Sequence, residues 1–407
     1  MSGYRPSDQL FLWLMTEPAQ PVLVGEINLV RKPRGVSVRY TDDWIARGFA
    51  LSEDLPLLGG EFLPRETDTA AGAVDDARPD RWGERVIRFL DKPPRLSLLE
   101  YLYFAGDDRF GALGVSTSSE AYRPRKLDPL PALEDTATMQ GLVHRILSNE
   151  PIEPRLRRLI SPGATMGGAR PKALIEIDDV QWVVKFSAGD PLDTPLIEHA
   201  AMTLAIEAGI NAATTRSIRL VDGHAVAIRR FDRVQKRRVH ALSASVVLKA
   251  AGEALGYPEL AQVLRRRGVV ERGVSMAQMR ELFRRMVFNI LIDNTDDHEK
   301  NHVLLMTDAL QYHLAPAFDV LPSGQALGHQ QMRVGTCDAD STLENAMSMC
   351  ALFSLNEREA SRQVRRVSNV VKRWKPHFSK QGVTKGDIEA LAEQIDRPFL
   401  RQQRERF

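Results

Sequence analysis

The chain has 407 residues, 43% of them hydrophobic, and a formal net charge of +2. That length supports two to three structural units with sizeable cores, and the near-neutral balance excludes the whole chain acting as an electrostatic nucleic-acid binder. Two cysteines, Cys337 and Cys350, cannot build a disulfide framework, which points to a reducing compartment.

The longest early apolar run, Leu10 to Met15, lacks a cationic lead and a small-residue cleavage site, so no signal peptide is expected. No run approaches the roughly 20 residues of a membrane helix, and a cytoplasmic, soluble protein without a membrane partner is expected.

The first region, residues 1–125, reads as β-rich. "LFLWLM" and "VLVGEINLV" flank the hairpin-like break "TEPAQP", and "GVSVRY" follows the turn-prone "RKPRG". Trp82, Val86, Ile87 and Leu90 then fall at helical spacing, and "DDRFGALGVS" reads as a loop entering a strand. A proline- and charge-rich stretch places a boundary near residue 125.

The second region, 126–232, holds the glycine-rich "SPGATMGGARPKALIEI" and the strand "QWVVKFS". "DTPLIEHAAMTLAIEAGI" is a helix, with Thr194 expected at the N-cap and Pro195 in the first turn. "RSIRLV" and "HAVAIRRF" form a hairpin turned at "DG".

The third region, 233–407, is helical. Met279, Leu282, Phe283, Met286, Val287, Ile290 and Leu291 make a wide apolar stripe on one internal helix. "HVLLM" and "QYHL" form a short hairpin. Val364, Val367, Val371 and Trp374 mark one face of a late helix, and Arg362, Arg366 and Arg373 mark another.

The stretch "ILIDNTDDHEKNHVLLM" pins a very polar core between apolar flanks. Asp296 and Asn301 stand five residues apart, the spacing of the protein-kinase catalytic loop, in which the Asp orients the substrate hydroxyl and the Asn holds magnesium. Asp319, in "LAPAFDVLPS", falls where a second metal ligand belongs, and carboxylate and amide oxygens suit magnesium.

The order along the chain strengthens the spacing. Gly163, Gly167 and Gly168 supply a glycine-rich turn, Lys185 in "VVKF" a strand lysine, and Glu198 a helix glutamate, ahead of Asp296, Asn301 and Asp319. The turn is not a Walker A loop, because no Lys-Ser or Lys-Thr follows its last glycine. Thr295 before Asp296 and Val320 after Asp319 also separate the chain from eukaryotic-type kinases.

"GGARPKA", "RRFDRV", "NTDDHEKNH" and "LAPAFDVLP" together resemble the HipA family, the kinase toxins of bacterial type II toxin–antitoxin systems. "GDDRFGALG" and "DDARPDRWGERVI" look like that family's N-terminal region, so the resemblance covers most of the chain. It implies an α+β, remotely protein-kinase-like, two-lobed fold with a β-rich N-terminal region and a helical C-terminal lobe. It implies a serine/threonine protein kinase that uses ATP and Mg2+ on a cellular protein such as an aminoacyl-tRNA synthetase. The resemblance puts the catalytic aspartate on Asp296, the metal ligands on Asn301 and Asp319, and the ATP-binding lysine on Lys185. The family's phosphorylatable serine, seven residues before the loop lysine Lys172, falls on Thr165, a departure in residue type, with Ser161 the second candidate. The partners it implies are a small helix-turn-helix antitoxin and, mainly through it, operator DNA.

Other readings stand beside these. Thr165, Gly167, Gly168 and Lys172 are placed at the nucleotide, although Lys172 either touches phosphate or only closes the loop. Lys185 is either a solvated edge-strand lysine or a buried one that needs an anionic partner, with Glu198 as a second partner to the triphosphate. Glu198 could equally be solvated. Asp297 and His298 could serve a metal-dependent hydrolase, but that leaves Lys185 and the glycine turn unexplained. His298 is expected to bond the loop backbone, and His302 to be structural. An inert co-repressor that keeps the fold and binds operator DNA with an antitoxin is the non-enzymatic alternative. The basic clusters at Arg265–Arg267 and Arg362–Arg373 read as solvated helix faces or as phosphate contacts.

Overall fold

The structure is a computed structural model that describes residues 4–125, 128–160 and 168–407. The chain forms two compact units. The first comprises Met1–Ala188 and Arg230–Leu242, and the second Gly189–Arg229 and Ser243–Phe407. The divisions between these units fall near residues 188, 229 and 242. Local composition marks proline-rich stretches, whereas a unit is set by which distant segments pack together.

In the first unit, β1 (Gln9–Leu14), β2 (Val22–Arg31), β3 (Arg34–Tyr40), β4 (Thr69–Ala70) and β5 (Leu113–Ser116) form one sheet in the order β4-β3-β2-β1-β5. β1 pairs antiparallel with β2 and β5, and β2 with β3, while β4 joins β3 in parallel. Leu10, Leu12, Val24, Ile27, Val36 and Val38 of these strands are buried. The β1–β2 register shifts between Leu12 and Trp13, opposite Gly25, where a Cβ would lie 2.0 Å from the Arg39 carbonyl oxygen.

Four short helices follow the same unit: α1 (Asp42–Arg47), α2 (Arg81–Val86), α3 (Leu98–Phe104) and α4 (Thr136–Leu147). Each of the first three is started by a side-chain cap: Thr41 accepts from the Trp44 amide, Asp80 from the Gly83 amide, and Ser97 forms a capping box with Glu100. β6 (Lys172–Ile177) and β7 (Val180–Lys185) close the unit as an antiparallel hairpin.

The second unit opens with α5 (Thr194–Glu207), then the hairpin of β8 (Thr215–Arg219) and β9 (His224–Arg229). The N-cap of α5 is Asp193, one residue earlier than expected, and the Thr194 hydroxyl donates to Asp190 at 2.8 Å. α6 (Ala244–Ala251), α7 (Tyr257–Arg267), α8 (Val274–Leu291), α9 (Leu343–Ser348), α10 (Glu357–Val371), α11 (Trp374–Lys380), α12 (Lys385–Ile395) and α13 (Pro398–Arg406) complete the described helices.

α8 is the organising helix, and α7, α9, α10 and α13 pack around it. The whole predicted stripe from Met279 to Leu291 is buried, each large apolar side chain contributing about 1.5–3 kcal/mol. The late apolar face spans two helices, because the chain breaks at Lys372–Arg373 and Trp374 begins α11. A hairpin of Val303–Met306 and Tyr312–Leu314 follows α8, tied to it by buried Arg285, which donates to the Ala315 carbonyl at 2.7 Å.

Candidate active site

In the second unit, α8 ends and the chain turns at Asp293, whose φ of 60° lies in the left-handed region. Asn294 secures the helix end: its amide donates to the Asn289 carbonyl at 2.9 Å and its side chain to Asn289 Oδ1 at 3.2 Å. Thr295 is fully buried, with its hydroxyl 2.6 Å from that of Ser323. Asp296 is exposed, whereas Asp297 is buried again. A single carboxylate thus stands in solvent between two anchored neighbours.

Asp297 is a staple. Its Oδ2 accepts from the Tyr257 hydroxyl and from His302 Nε2, the latter at 2.7 Å. Burial alone would raise this carboxyl, but His302, Tyr257 and His298 hold it below its ordinary value. Burial and the neighbouring Asp297 push the Tyr257 phenol well up, so it stays a donor. The Tyr257 and His302 rings meet edge to face at 5.2 Å, and the His302 carbonyl accepts from the Ala244 amide at 2.7 Å. His302 is structural, as expected.

Because Asp297 serves Tyr257 and His302, the hydrolase pairing of Asp297 with His298 loses its first ligand. Among the described residues no group of three or more His, Cys, Asp or Glu is arranged to hold a metal ion. The expected backbone bond of His298 does not form at Nδ1, which is buried without a partner.

A short turn, Glu299–Asn301, brings Asn301 back into the protein, with its amide donating to the His298 carbonyl at 2.9 Å. Asn301 is 4% exposed, and its Oδ1 has no hydrogen-bond partner. A buried amide oxygen left open is costly unless a ligand takes it. It borders a cavity of about 10 Å³, room for one water-sized group, lined also by Asn289, Asp297, His302, Phe318 and Val320. Asp319 lies between those last two residues, half-buried, with φ 58°. The unfilled Asn301 oxygen fits a hard cation such as magnesium.

In the first unit, Lys172 and Lys185 stand directly opposite each other across the β6–β7 ladder, at 1% and 4% exposure. Two buried like charges in register call for anions. Lys172 pairs with Asp80 and reaches the Gly168 carbonyl at 3.3 Å, and Trp82 Nε1 donates to the Lys172 carbonyl at 2.7 Å. Lys172 is thus held between Asp80 and the Gly168 carbonyl. Gly168, with φ 93°, is the one loop glycine among the described residues; Ser161, Gly163, Thr165 and Gly167 lie outside them.

Lys185 is no solvated edge lysine. Glu198, on α5 of the second unit, is 1% exposed, which removes its solvated reading. Asp80 was not singled out from the sequence: it stands 92 residues before Lys172, and only its place in "DDARPDRWGERVI" marked it.

A second buried ionic cluster joins "GDDRFGALG" to "RRFDRV" within the first unit. Asp232 accepts from Arg230 at 2.7 Å, from Arg233 at 2.8 Å and from the Gly111 amide at 2.8 Å. Burial would raise Asp232, but Arg230 and Arg233 hold it well below the carboxylate range, while burial and Arg230 bring Arg233 down to about 9.

These elements and this loop define an α+β fold of the remotely protein-kinase-like class. The profile of the HipA-like C-terminal domain family matches residues 164–374, just over half of the sequence. The chain belongs to that family. A Sinorhizobium fredii protein described as "Putative kinase Y4dM" is 30% identical over 156 residues; the match spans 34% of this chain and only 37% of that relative's length. The HipA chain of a Shewanella oneidensis HipA, HipB and operator DNA complex aligns over 98% of this chain and 97% of its own, at TM-score 0.67 and 17% identity. The Helicobacter pylori proinflammatory kinase CtkA aligns at TM-score 0.44 and 14% identity over 59% of this chain and 92% of its own. Among the described residues no helix is long and apolar enough to cross a membrane.

Proposed function

We propose that the protein is a HipA-like serine/threonine protein kinase, the toxin of a type II toxin–antitoxin pair, using ATP and magnesium. The observation that carries this reading is the catalytic loop: a lone exposed carboxylate, Asp296, held between buried Thr295 and Asp297, five residues before a buried amide whose oxygen is open.

In the first unit, Lys185 supplies a buried cation for the nucleotide phosphates. In the second, Asn301 Oδ1 and the Asp319 carboxylate hold magnesium, which when bound offsets charge on the phosphoryl oxygens. Asp296 accepts a hydrogen bond from the substrate hydroxyl, orients it and takes its proton as the phosphoryl group is transferred. Phosphoryl transfer asks a protein mostly for positioning and charge stabilisation, and the anchored loop supports the first of these.

The acceptor is a cellular protein, and by family resemblance an aminoacyl-tRNA synthetase is the class to test first. The Shewanella complex of HipA, HipB and operator DNA supports an antitoxin and operator DNA as partners; by family resemblance the antitoxin is small and carries most of the DNA contact.

The test is γ-labelled ATP transfer by the parent and by Asp296→Asn, which keeps size and removes the base. A loss of about 10²–10⁴-fold with unchanged folding is expected. Activity of the variant within about tenfold of the parent removes Asp296 from the central role.

A further inference from the structure

Asp293, three residues before Asp296, is used by neither the proposed chemistry nor the Asp297 staple. Three features set it apart. It is fully buried, it is a non-glycine residue in left-handed backbone, and neither of its carboxylate oxygens has a hydrogen-bond partner. Left-handed backbone costs an ordinary residue roughly 1–2 kcal/mol, although Asp tolerates it better than most. Glycine would make the same turn without strain. The carboxylate is therefore present for something other than the turn.

Its neighbour is Arg397, whose Nη1 lies 2.8 Å from Asp293 Oδ2 in an ion pair without hydrogen-bond alignment. Arg397 sits at the junction of α12 and α13, and that junction is tightly held. Asp396 accepts from Trp374 Nε1 at 3.1 Å and from Arg404 at 2.7 Å, and pairs with Lys375 at 2.7 Å. Arg404 also donates to the Ile395 carbonyl at 2.6 Å and, at 3.4 Å, to the Leu291 carbonyl at the end of α8. Arg397 at the junction and Arg404 on α13, which bonds back to the junction, thus meet the two ends of the turn that launches the catalytic loop.

The main chain of Asp293 adds a third tie. Its carbonyl accepts from both the amide (2.9 Å) and the hydroxyl (3.0 Å) of Ser323, four residues after Asp319. The same hydroxyl lies 2.6 Å from that of Thr295. Asp293 is where the Asp296 segment, the Asp319 segment and the C-terminal helices converge.

We infer that Asp293 and Arg397 form a positioning pair that lets the α12–α13 junction fix the geometry of the catalytic loop. A buried ion pair contributes little net stability against an apolar replacement, but it specifies one arrangement strongly, because a partner that moves away leaves a buried charge uncompensated. Neither residue touches substrate. They act through the backbone that carries Asp296, and their effect on turnover rests on the kinase reading above.

The test uses the full chain with Arg397→Ala, Arg397→Lys, Asp293→Gly and the double variant Asp293→Gly/Arg397→Ala. Asp293→Gly keeps the left-handed turn and removes only the carboxylate, so it remains informative if Arg397→Ala folds poorly. Two readouts are taken: kcat and nucleotide Kd for phosphoryl transfer, and hydrogen–deuterium exchange of peptides covering 293–301 and 319–323.

The expected result for Arg397→Ala and for Asp293→Gly is a kcat lowered about 10- to 100-fold, as a misplaced catalytic group can cost, with Kd within about threefold. Loop exchange rises at least about tenfold while the α8 interior is unchanged. Arg397→Lys restores most of both, and the double variant is no worse than the singles, since coupled residues are not additive. Parental loop exchange in folded Arg397→Ala or Asp293→Gly overturns the inference, whatever the variant's thermal stability. If the parent transfers no phosphate at all, the kinase reading falls, while loop exchange still decides whether the pair fixes the loop.

Discussion

Replacing Asp297 by alanine separates the two adjacent aspartates of the loop by role. The side chain is 2% exposed, and Tyr257 and His302, which donate to it, are 0% and 3% exposed. Asp297→Ala removes two hydrogen bonds to a charged acceptor and leaves a phenol and an imidazole N–H buried without partners. Each stranded donor costs about 1–3 kcal/mol. The sum, about 2–6 kcal/mol, brackets the roughly 3–5 kcal/mol that breaking a buried charged pair costs. For a unit of this size each kcal/mol lowers Tm by about 2–4 °C, so a fall near 10 °C is expected in calorimetry or thermal-shift measurement.

Asp297→Asn retains an acceptor and should cost less. It should also flatten the acid limb of stability. The Asp297 carboxyl is held below its ordinary value in the folded state, so its contribution is complete above the unfolded pKa of about 3.9 and is lost as pH falls through the folded one. A Tm for Asp297→Ala within about 2 °C of the parent would refute the staple, whatever happens to activity.

Lys185→Ala should weaken nucleotide binding about tenfold or more, and Asp319→Ala should abolish its dependence on magnesium, both read by titration calorimetry; unchanged Mg-ATP binding by Asp319→Ala places the metal elsewhere. In the first unit, Asp232→Asn strands Arg230 and Arg233 and should cost about 3–5 kcal/mol at neutral pH. Because Asp232 is depressed when folded, the parent should lose stability as pH drops below about 4 and the variant should lose less, so equal acid slopes in denaturant melts from pH 2 to 7 would contradict the assignment.

The apolar stripe of α8, the β-rich hairpin of β1 and β2 and the Asp296–Asn301 spacing were all legible in the sequence, because each is a local pattern with a fixed period, a turn signal or a fixed count. What could not be read is which loop aspartate is buried. Asp293, Asp296 and Asp297 look alike in "DNTDD", and only Tyr257, 40 residues earlier, and Arg397, far later, tell them apart. The same holds for Lys172, whose role turns on Asp80. The N-cap of α5 was missed by one residue because both Asp193 and Thr194 are good caps and a following proline suits either. The two-unit division was invisible, since it depends on a short late segment rejoining an early one.

That late segment constrains how the protein can be made. Residues 230–242 belong to the first unit, yet 189–229, which precede them in synthesis, belong to the second. A ribosome adding about 5–20 residues per second delivers Asp232 several seconds after the rest of the first unit has emerged. Until then the Gly111 amide and the carbonyls of Asp108 and Arg109, which bind Asp232, Arg230 and Arg233 in the finished protein, have no partners. The nascent first unit therefore lacks this ionic cluster until then, and a message truncated before codon 230 yields a fragment without Arg230, Asp232 and Arg233.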